Sequence, residues 1–177
     1  MTRLPRAIRL DVSDTLIFPT PAAAGEWAVP GGFCFWDDDE SLGGKRRQAF
    51  RAGFLGLSSF GWSTLVEVAE ASAVQRMVAR DALAAHIRAE YGAPDDASAQ
   101  AAAEEEISFA ESLCADHAPG TALALERRFD GGEIRETFRT LHRRETPHSD
   151  FGALPVFAIA EVEDEPSEQP DLTRLRP

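Results

Sequence analysis

The chain has 177 residues, of which 44% are hydrophobic, and a formal net charge of −12 at pH 7. This length suits one domain with a sizeable core, and the hydrophobic content excludes a wholly disordered chain. The negative charge disfavours nonspecific binding to nucleic acid or to anionic lipid. Because no segment is apolar for long enough to span a membrane or to form a signal peptide, we expect a cytoplasmic protein.

The first part of the chain is predicted to form strands. Apolar and polar residues alternate over Ala7–Phe18, which indicates one strand, or two short strands interrupted at Ser13-Asp14. A further strand is predicted over Glu26–Trp36. The acidic run Asp37–Glu40 closes it as a solvated turn that could cap a short helix through Leu42.

Two motifs in this region look catalytic but lack required residues. Asp11–Leu16 follows the Asp-x-Asp-x-Thr-Leu pattern of haloacid-dehalogenase-type phosphatases, yet Ser13 replaces the second carboxylate that this chemistry needs. Gly43-Gly44-Lys45 resembles the end of a phosphate-binding loop, but Asp39 replaces its first glycine and Arg46 its hydroxyl residue. We therefore predict no catalytic residues.

The region Lys45–Phe60 is compatible with either a helix or a strand at its start. The clearer signals follow it. Trp62–Ala69 alternates as a half-buried strand does. A helix is predicted to begin after Ser72, which has Gln75 in the capping-box position, and to end at Gly92.

A second helix is predicted from Asp95 or Asp96 to about His117, and the short connection makes the two helices antiparallel neighbours. Its apolar stripe passes through Ile107. Glu104–Glu106 are predicted to straddle the solvent side.

A hairpin is predicted from the strands Thr121–Phe129 and Glu133–Arg143, because the two glycines between them can take the positive φ values of a tight turn. A last strand is predicted over Phe151–Val162. The acidic, proline-bearing stretch 163–177 is predicted to be a flexible tail, which leaves 1–162 as a single domain.

The two cysteines, Cys34 and Cys114, are predicted to be free thiols, since a secreted disulfide framework would use more cysteines in a shorter chain. Cys114 and His117 could supply two metal ligands, with His142 or His148 as a third. Zinc needs three or four converging ligands, however, and these spacings are not diagnostic. No metal or other cofactor is predicted.

Aromatic and apolar residues flank the acidic turn and fill the segment Phe50–Trp62. They either fill the core or form an exposed patch for a partner or a groove for a ligand. Because Gly53, Gly56 and Gly61 make this segment unlike a solvated loop, we hypothesise that it contributes to a homodimer or partner interface, with the core as the alternative. The candidate interface or ligand-binding residues are Trp27, Phe33, Trp36, Phe54, Leu55, Leu57, Phe60 and Trp62.

Three stretches carry a family resemblance: Glu26-Trp-Ala-Val-Pro-Gly-Gly-Phe33, Arg47-Gln-Ala-Phe-Arg-Ala-Gly-Phe-Leu-Gly-Leu57 and Glu104-Glu-Glu-Ile-Ser-Phe-Ala-Glu-Ser-Leu-Cys114. The chain resembles a family of small acidic bacterial proteins of unknown function over most of residues 6–143. Genes of that family often lie near a biotin/lipoate-ligase-like protein and redox-enzyme accessory genes. The resemblance therefore implies an assembly or partner role, and it assigns no catalytic residues.

Taken together, the sequence predicts an α+β domain, with an antiparallel sheet of about five or six strands packed on one face by two antiparallel helices. The leading hypothesis for its function is a non-enzymatic accessory or protein-interaction domain whose partner is another protein or a second copy of itself. The alternative is a small-molecule-binding protein or enzyme with a pocket near Trp27–Trp36 and Phe54–Trp62. A flat apolar patch favours the first function, and a pocket with a perturbed carboxylate or histidine favours the second.

Overall fold

A computed structural model describes residues 1–142 of the chain. Within this range there are seven strands, four α-helices and one short 3-10 helix. In chain order they are β1 (Thr2–Ile8), α1 (Ser13–Ile17), β2 (Ala28–Val29), the 3-10 helix (Gly32–Phe35), α2 (Gly44–Ala52), β3 (Phe54–Gly56), β4 (Trp62–Ser63), β5 (Leu65–Ala71), α3 (Ala73–Glu90), α4 (Asp96–Cys114), β6 (Ala122–Asp130) and β7 (Glu133–Leu141).

The predicted α+β class is confirmed, and the antiparallel strands are divided between two sheets. The larger sheet has the order β1-β5-β6-β7 and the smaller one β2-β3-β4. The predicted strand Trp62–Ala69 is divided at Thr64, where the strand pairing is interrupted. The residues before Thr64 belong to β4 of the smaller sheet, and those after it belong to β5 of the larger sheet. There the buried carboxylate of Asp14 accepts hydrogen bonds from the Thr64 backbone N–H, at 3.2 Å, and from its hydroxyl, at 2.6 Å.

The first strand lies earlier in the chain than predicted. β1 pairs with β5 from Thr2 to Ile8, and the predicted strand region Ala7–Phe18 contains helix α1 instead. The alternation there is misleading, because Leu10 and Val12 are 52% and 69% exposed and belong to a turn. Pro5 is tolerated in β1 because β1 is an edge strand of the sheet.

The predicted strand Glu26–Trp36 is also wrong over most of its length. Only Trp27–Val29 pairs with neighbouring strands: Ala28–Val29 with β3, and Trp27 through a single bridge to Arg6 of β1. Gly31 then takes a left-handed φ of 76° and the 3-10 helix begins. The residues up to Leu42 form turns rather than a short helix. The ambiguous region from Lys45 begins as helix α2 and continues as β3.

Helices α3 and α4 follow the prediction closely. The Ser72 hydroxyl accepts from the Gln75 backbone N–H, and the Gln75 side chain accepts from the Ser72 backbone N–H, so the capping box is present. The Asp95 side chain caps α4 by accepting from the Ser98 N–H. The two helices pack against each other, and both contact β1.

The hairpin is confirmed with shifted ends, and its register decides which side chains face inward. Directly opposed residues of an antiparallel pair lie on the same face of the sheet. Leu125 lies opposite Phe138, and Arg127 lies opposite Glu136. The buried face of the hairpin therefore carries one ion pair among apolar residues. The predicted strand Phe151–Val162, the tail 163–177 and the end of the domain at 162 lie outside the described residues.

The buried stripe of α4 gives a direct test of the helix assignment. Ile107 is fully buried, so truncating it in Ile107→Ala should lower the free energy of unfolding by about 2–5 kcal/mol. Glu105→Ala, on the exposed side, should change it by less than about 0.5 kcal/mol. Urea unfolding of both variants measures the difference, and equal losses would contradict the orientation of the helix.

Candidate functional site

The eight candidate residues fall into three groups by exposure. Four of them are buried within the chain, as expected if they fill the core rather than an interface: Phe54, Leu55, Leu57 and Trp62. Trp27, Phe33 and Phe60 are partly buried and pack against the larger apolar core. Trp36 differs from the rest, with 79% of its surface exposed. The glycines allow the close packing: a Cβ on Gly53 would lie 2.7 Å from the Ala49 carbonyl oxygen and 2.8 Å from the Trp62 ring.

The most unusual residue in this region is Arg127, whose side chain is fully buried. Its guanidinium donates to the backbone carbonyl oxygens of Phe50 (2.9 Å), Gly53 (3.0 Å), Ala49 (3.3 Å) and Pro30. Its Nε donates to the Glu136 carboxylate at 2.9 Å. One side chain of β6 therefore holds the end of helix α2, the turn before the 3-10 helix and strand β7.

Two carboxylates accompany this buried cation. Glu136 forms the direct ion pair, and Glu106 of α4 accepts a hydrogen bond from the Gly31 N–H at 2.8 Å. Burial raises the pKa of Glu106, and the nearby Glu136 carboxylate raises it further. The hydrogen bond from the Gly31 N–H acts in the opposite direction and lowers this pKa. Burial lowers the pKa of Arg127, and Glu136 opposes that shift. The sequence-based placement of Glu106 on the solvent side is wrong, because the Pro30-Gly31-Gly32 turn packs over it.

The thiols do not have the properties of a nucleophile. Burial raises the pKa of Cys34 to about 11 and that of Cys114 to about 12. A reactive cysteine needs the opposite shift, toward the thiolate at neutral pH. Both thiols are free, and within residues 1–142 no group of three or more His, Cys, Asp or Glu side chains is arranged to hold a metal ion.

A surface groove, which we call the hairpin groove, lies directly above the buried arginine. It consists of two adjoining hollows between α2, the acidic turn and the closed end of the β6–β7 hairpin, with Glu40 and Phe129 lining both. The arginine hollow, of about 350 Å³, is lined by Glu40, Leu42, Arg47, Phe50, Arg51, Arg127, Arg128 and Phe129. The acidic hollow, of about 450 Å³, is lined by Asp38, Asp39, Glu40, Ser41, Phe129 and Gly132.

The arginine hollow combines an aromatic wall with exposed cations. The rings of Phe50 and Phe129 stack at 4.3 Å with an interplanar angle of 11°. Arg47 and Arg51 lie one helical turn apart on α2, whereas Arg128 of β6 alternates with Arg127 and Phe129, so its side chain points to the opposite face of the sheet. None of these three forms a salt bridge with another residue in the range 1–142. Such an arrangement can bind carboxylates or other anions through guanidinium forks, with apolar contact beside them.

The sequence-based reasoning missed Arg127 and the groove. The signal for Arg127 was present, since Leu123, Leu125 and Phe129 face inward and strict alternation places position 127 on the same face. The signal for the groove was weak, because α2 was ambiguous between helix and strand. A strand would also place Arg47 and Arg51 on one face, but about 13 Å apart, whereas a helix brings them to within about 6 Å of each other.

The fold and site together define an α+β domain with a charged surface groove over a buried ion pair. The chain belongs to a family of unknown function, DUF6505, whose model matches residues 1–161. Neither the curated proteins nor the solved structures compared with the chain include a match. Among the described residues, the helices are too short or too polar to cross a membrane.

The role of Arg127 can be tested against its exposed neighbour. Arg127→Met should lower the free energy of unfolding by about 3–5 kcal/mol, because Glu136 loses its partner and four buried carbonyl oxygens lose a donor. Arg128→Met removes the same charge at an exposed position and should cost less than about 0.5 kcal/mol. Urea unfolding followed by circular dichroism compares them, and similar midpoints would refute the structural role.

Glu106 should make stability fall as pH rises. Because its pKa is raised in the folded state, the folded protein binds a proton there more tightly than the unfolded chain does. Its contribution is therefore largest below the unfolded pKa, about 4.3, and is lost as pH rises through the folded value. Glu106→Gln keeps an acceptor for Gly31 without the charge, so it should be more stable than the wild type at pH 7.

The control for this comparison is Glu105→Gln, at the exposed neighbouring position. The stability gain of Glu106→Gln over the wild type should shrink as pH falls from the folded pKa toward about 4.3 and should be smallest below it, whereas Glu105→Gln should follow the wild type. Chemical unfolding at a series of pH values measures both. A gain that does not depend on pH would show that Glu106 is not the titrating group.

Proposed function

We propose that this protein is a non-enzymatic interaction domain that binds an acidic segment of a partner protein in the arginine hollow. The observation that carries this proposal is the pair of exposed arginines Arg47 and Arg51 beside stacked aromatic rings, in a chain with a net charge of −12. A locally basic site on an acidic protein selects its ligand by charge pattern. The surrounding negative field repels acidic molecules that do not fit the site.

The hollow has the composition of a binding hot spot. Arginine and aromatic residues dominate such sites, where the guanidinium pairs with carboxylates and the rings supply apolar contact. The hollow is also held in shape. Arg127 fixes the carbonyl groups at the end of α2 and joins them to β6, so little ordering is needed when a ligand binds.

Trp36 provides a spectroscopic readout of binding at the groove. It is the most exposed of the three tryptophans and directly precedes the acidic turn that lines the groove. Trp27 is partly buried and Trp62 is buried. A partner that covers the groove and its rim would shift the emission of Trp36 to shorter wavelength, as water is removed from the ring.

The proposal is tested with a charge-matched pair of variants. In the first, Arg47 and Arg51 are each replaced by glutamine. In the second, Arg88 and Arg139, which are exposed elsewhere, are replaced in the same way. The probe is a fluorescein-labelled peptide with alternating glutamate and leucine, measured by anisotropy at several salt concentrations.

The wild type should bind this peptide with an affinity that falls as salt rises. The groove variant should lose about fivefold, the combined size of two partly exposed ion pairs, and the control variant should bind as the wild type does. Equal losses in the two variants would mean that only net charge matters, and absence of binding to the wild type would overturn the proposal. Succinate that binds as tightly as the peptide would instead place the ligand among small dicarboxylates.

A further inference from the structure

The two hollows of the hairpin groove carry opposite charges side by side. The arginine hollow has the exposed guanidiniums of Arg47 and Arg51, whereas the acidic hollow is lined by Asp38, Asp39 and Glu40 and by no basic residue. Phe129 and Glu40 line both hollows, so both residues lie at the boundary between the basic and acidic parts of the groove. A ligand that follows the whole groove meets positive charge on one side of Phe129 and negative charge on the other.

The three carboxylates of the acidic hollow are not equivalent. Asp38 pairs with Arg46 at 2.5 Å, and Asp39 accepts from the Ser41 N–H and hydroxyl. Glu40 is exposed, and within residues 1–142 it takes part in neither an ion pair nor a side-chain hydrogen bond. Glu40 is therefore the carboxylate of this hollow whose charge the described part of the chain leaves uncompensated.

We infer that the bound partner segment is bipolar: acidic residues occupy the arginine hollow, an apolar residue lies on Phe129, and a basic residue pairs with Glu40. This inference rests on the interaction function proposed above and specifies its partner. A purely acidic segment would place a carboxylate beside Glu40, and like charges at close range disfavour that arrangement. The groove thus discriminates between segments of equal acidity by the position of their basic residue.

The test uses three labelled peptides. The first contains two acidic residues, a leucine and two lysines, in that order. The second has the reverse order, because the inference does not depend on the direction of the backbone. The third has glutamine in place of both lysines. Affinities for the wild type are measured by anisotropy at low ionic strength and are repeated with Glu40→Gln.

At least one lysine-bearing peptide should bind the wild type about two- to fivefold more tightly than the glutamine peptide, which is the contribution of one partly exposed ion pair. This gain should vanish in Glu40→Gln. The affinity of the glutamine peptide for this variant should equal or exceed its affinity for the wild type. Glu105→Gln, which removes the same charge from the exposed face of α4, should keep the gain.

The outcomes separate this inference from the function on which it rests. Equal binding of all three peptides to the wild type, lost in the arginine-to-glutamine groove variant, would overturn the bipolar partner and leave the interaction function standing. A lysine-dependent gain that persists in Glu40→Gln would also overturn the inference, since Glu40 would not be its source. If no peptide binds, both proposals fail.

Discussion

The buried guanidinium of Arg127 is the interaction on which the rest of the structure depends. It joins four backbone carbonyl oxygens and one carboxylate, contributed by the Pro30 turn, the end of α2 and β7. A buried charge without partners would cost several kcal/mol, so the fold is stable only when all of these groups converge. The ion pair therefore favours this one arrangement of the segments over other compact arrangements, in which the charge would be left unpaired.

This constraint also shapes the surface. The carbonyl groups at the end of α2 are normally left without donors, and Arg127 supplies donors to those of Ala49, Phe50 and Gly53. Helix α2 is thereby held against β6, with the stacked rings of Phe50 and Phe129 between them and the exposed arginines above. The binding groove that we propose is thus a consequence of the buried ion pair rather than an independent feature.

Buried carboxylates play a similar part at the junctions of the fold. Asp14 holds Thr64, where the chain passes from the smaller sheet to the larger one. Glu26 accepts from the backbone N–H groups of Ser58 and Ser59, each at 3.1 Å, and so fixes the tight connection between β3 and β4. Both carboxylates lie close in sequence to a turn. In each place the carboxylate stabilises the junction through hydrogen bonds, where a longer strand would do so through apolar contacts.

The sequence by itself determined the elements whose signals are local. The capping box of α3, the cap of α4 and the hairpin with its two glycines depend on residues only a few positions apart, and all three were predictable. Only the tertiary structure decided where β1 lies, how the strands divide between two sheets, and which groups meet the side chains of Arg127 and Glu106. Those outcomes depend on partners far away in the chain, as in the contact between Arg127 and Pro30, which are 97 residues apart. Local periodicity carries no information about such partners, because a charged side chain can be buried only if distant groups arrive to compensate it.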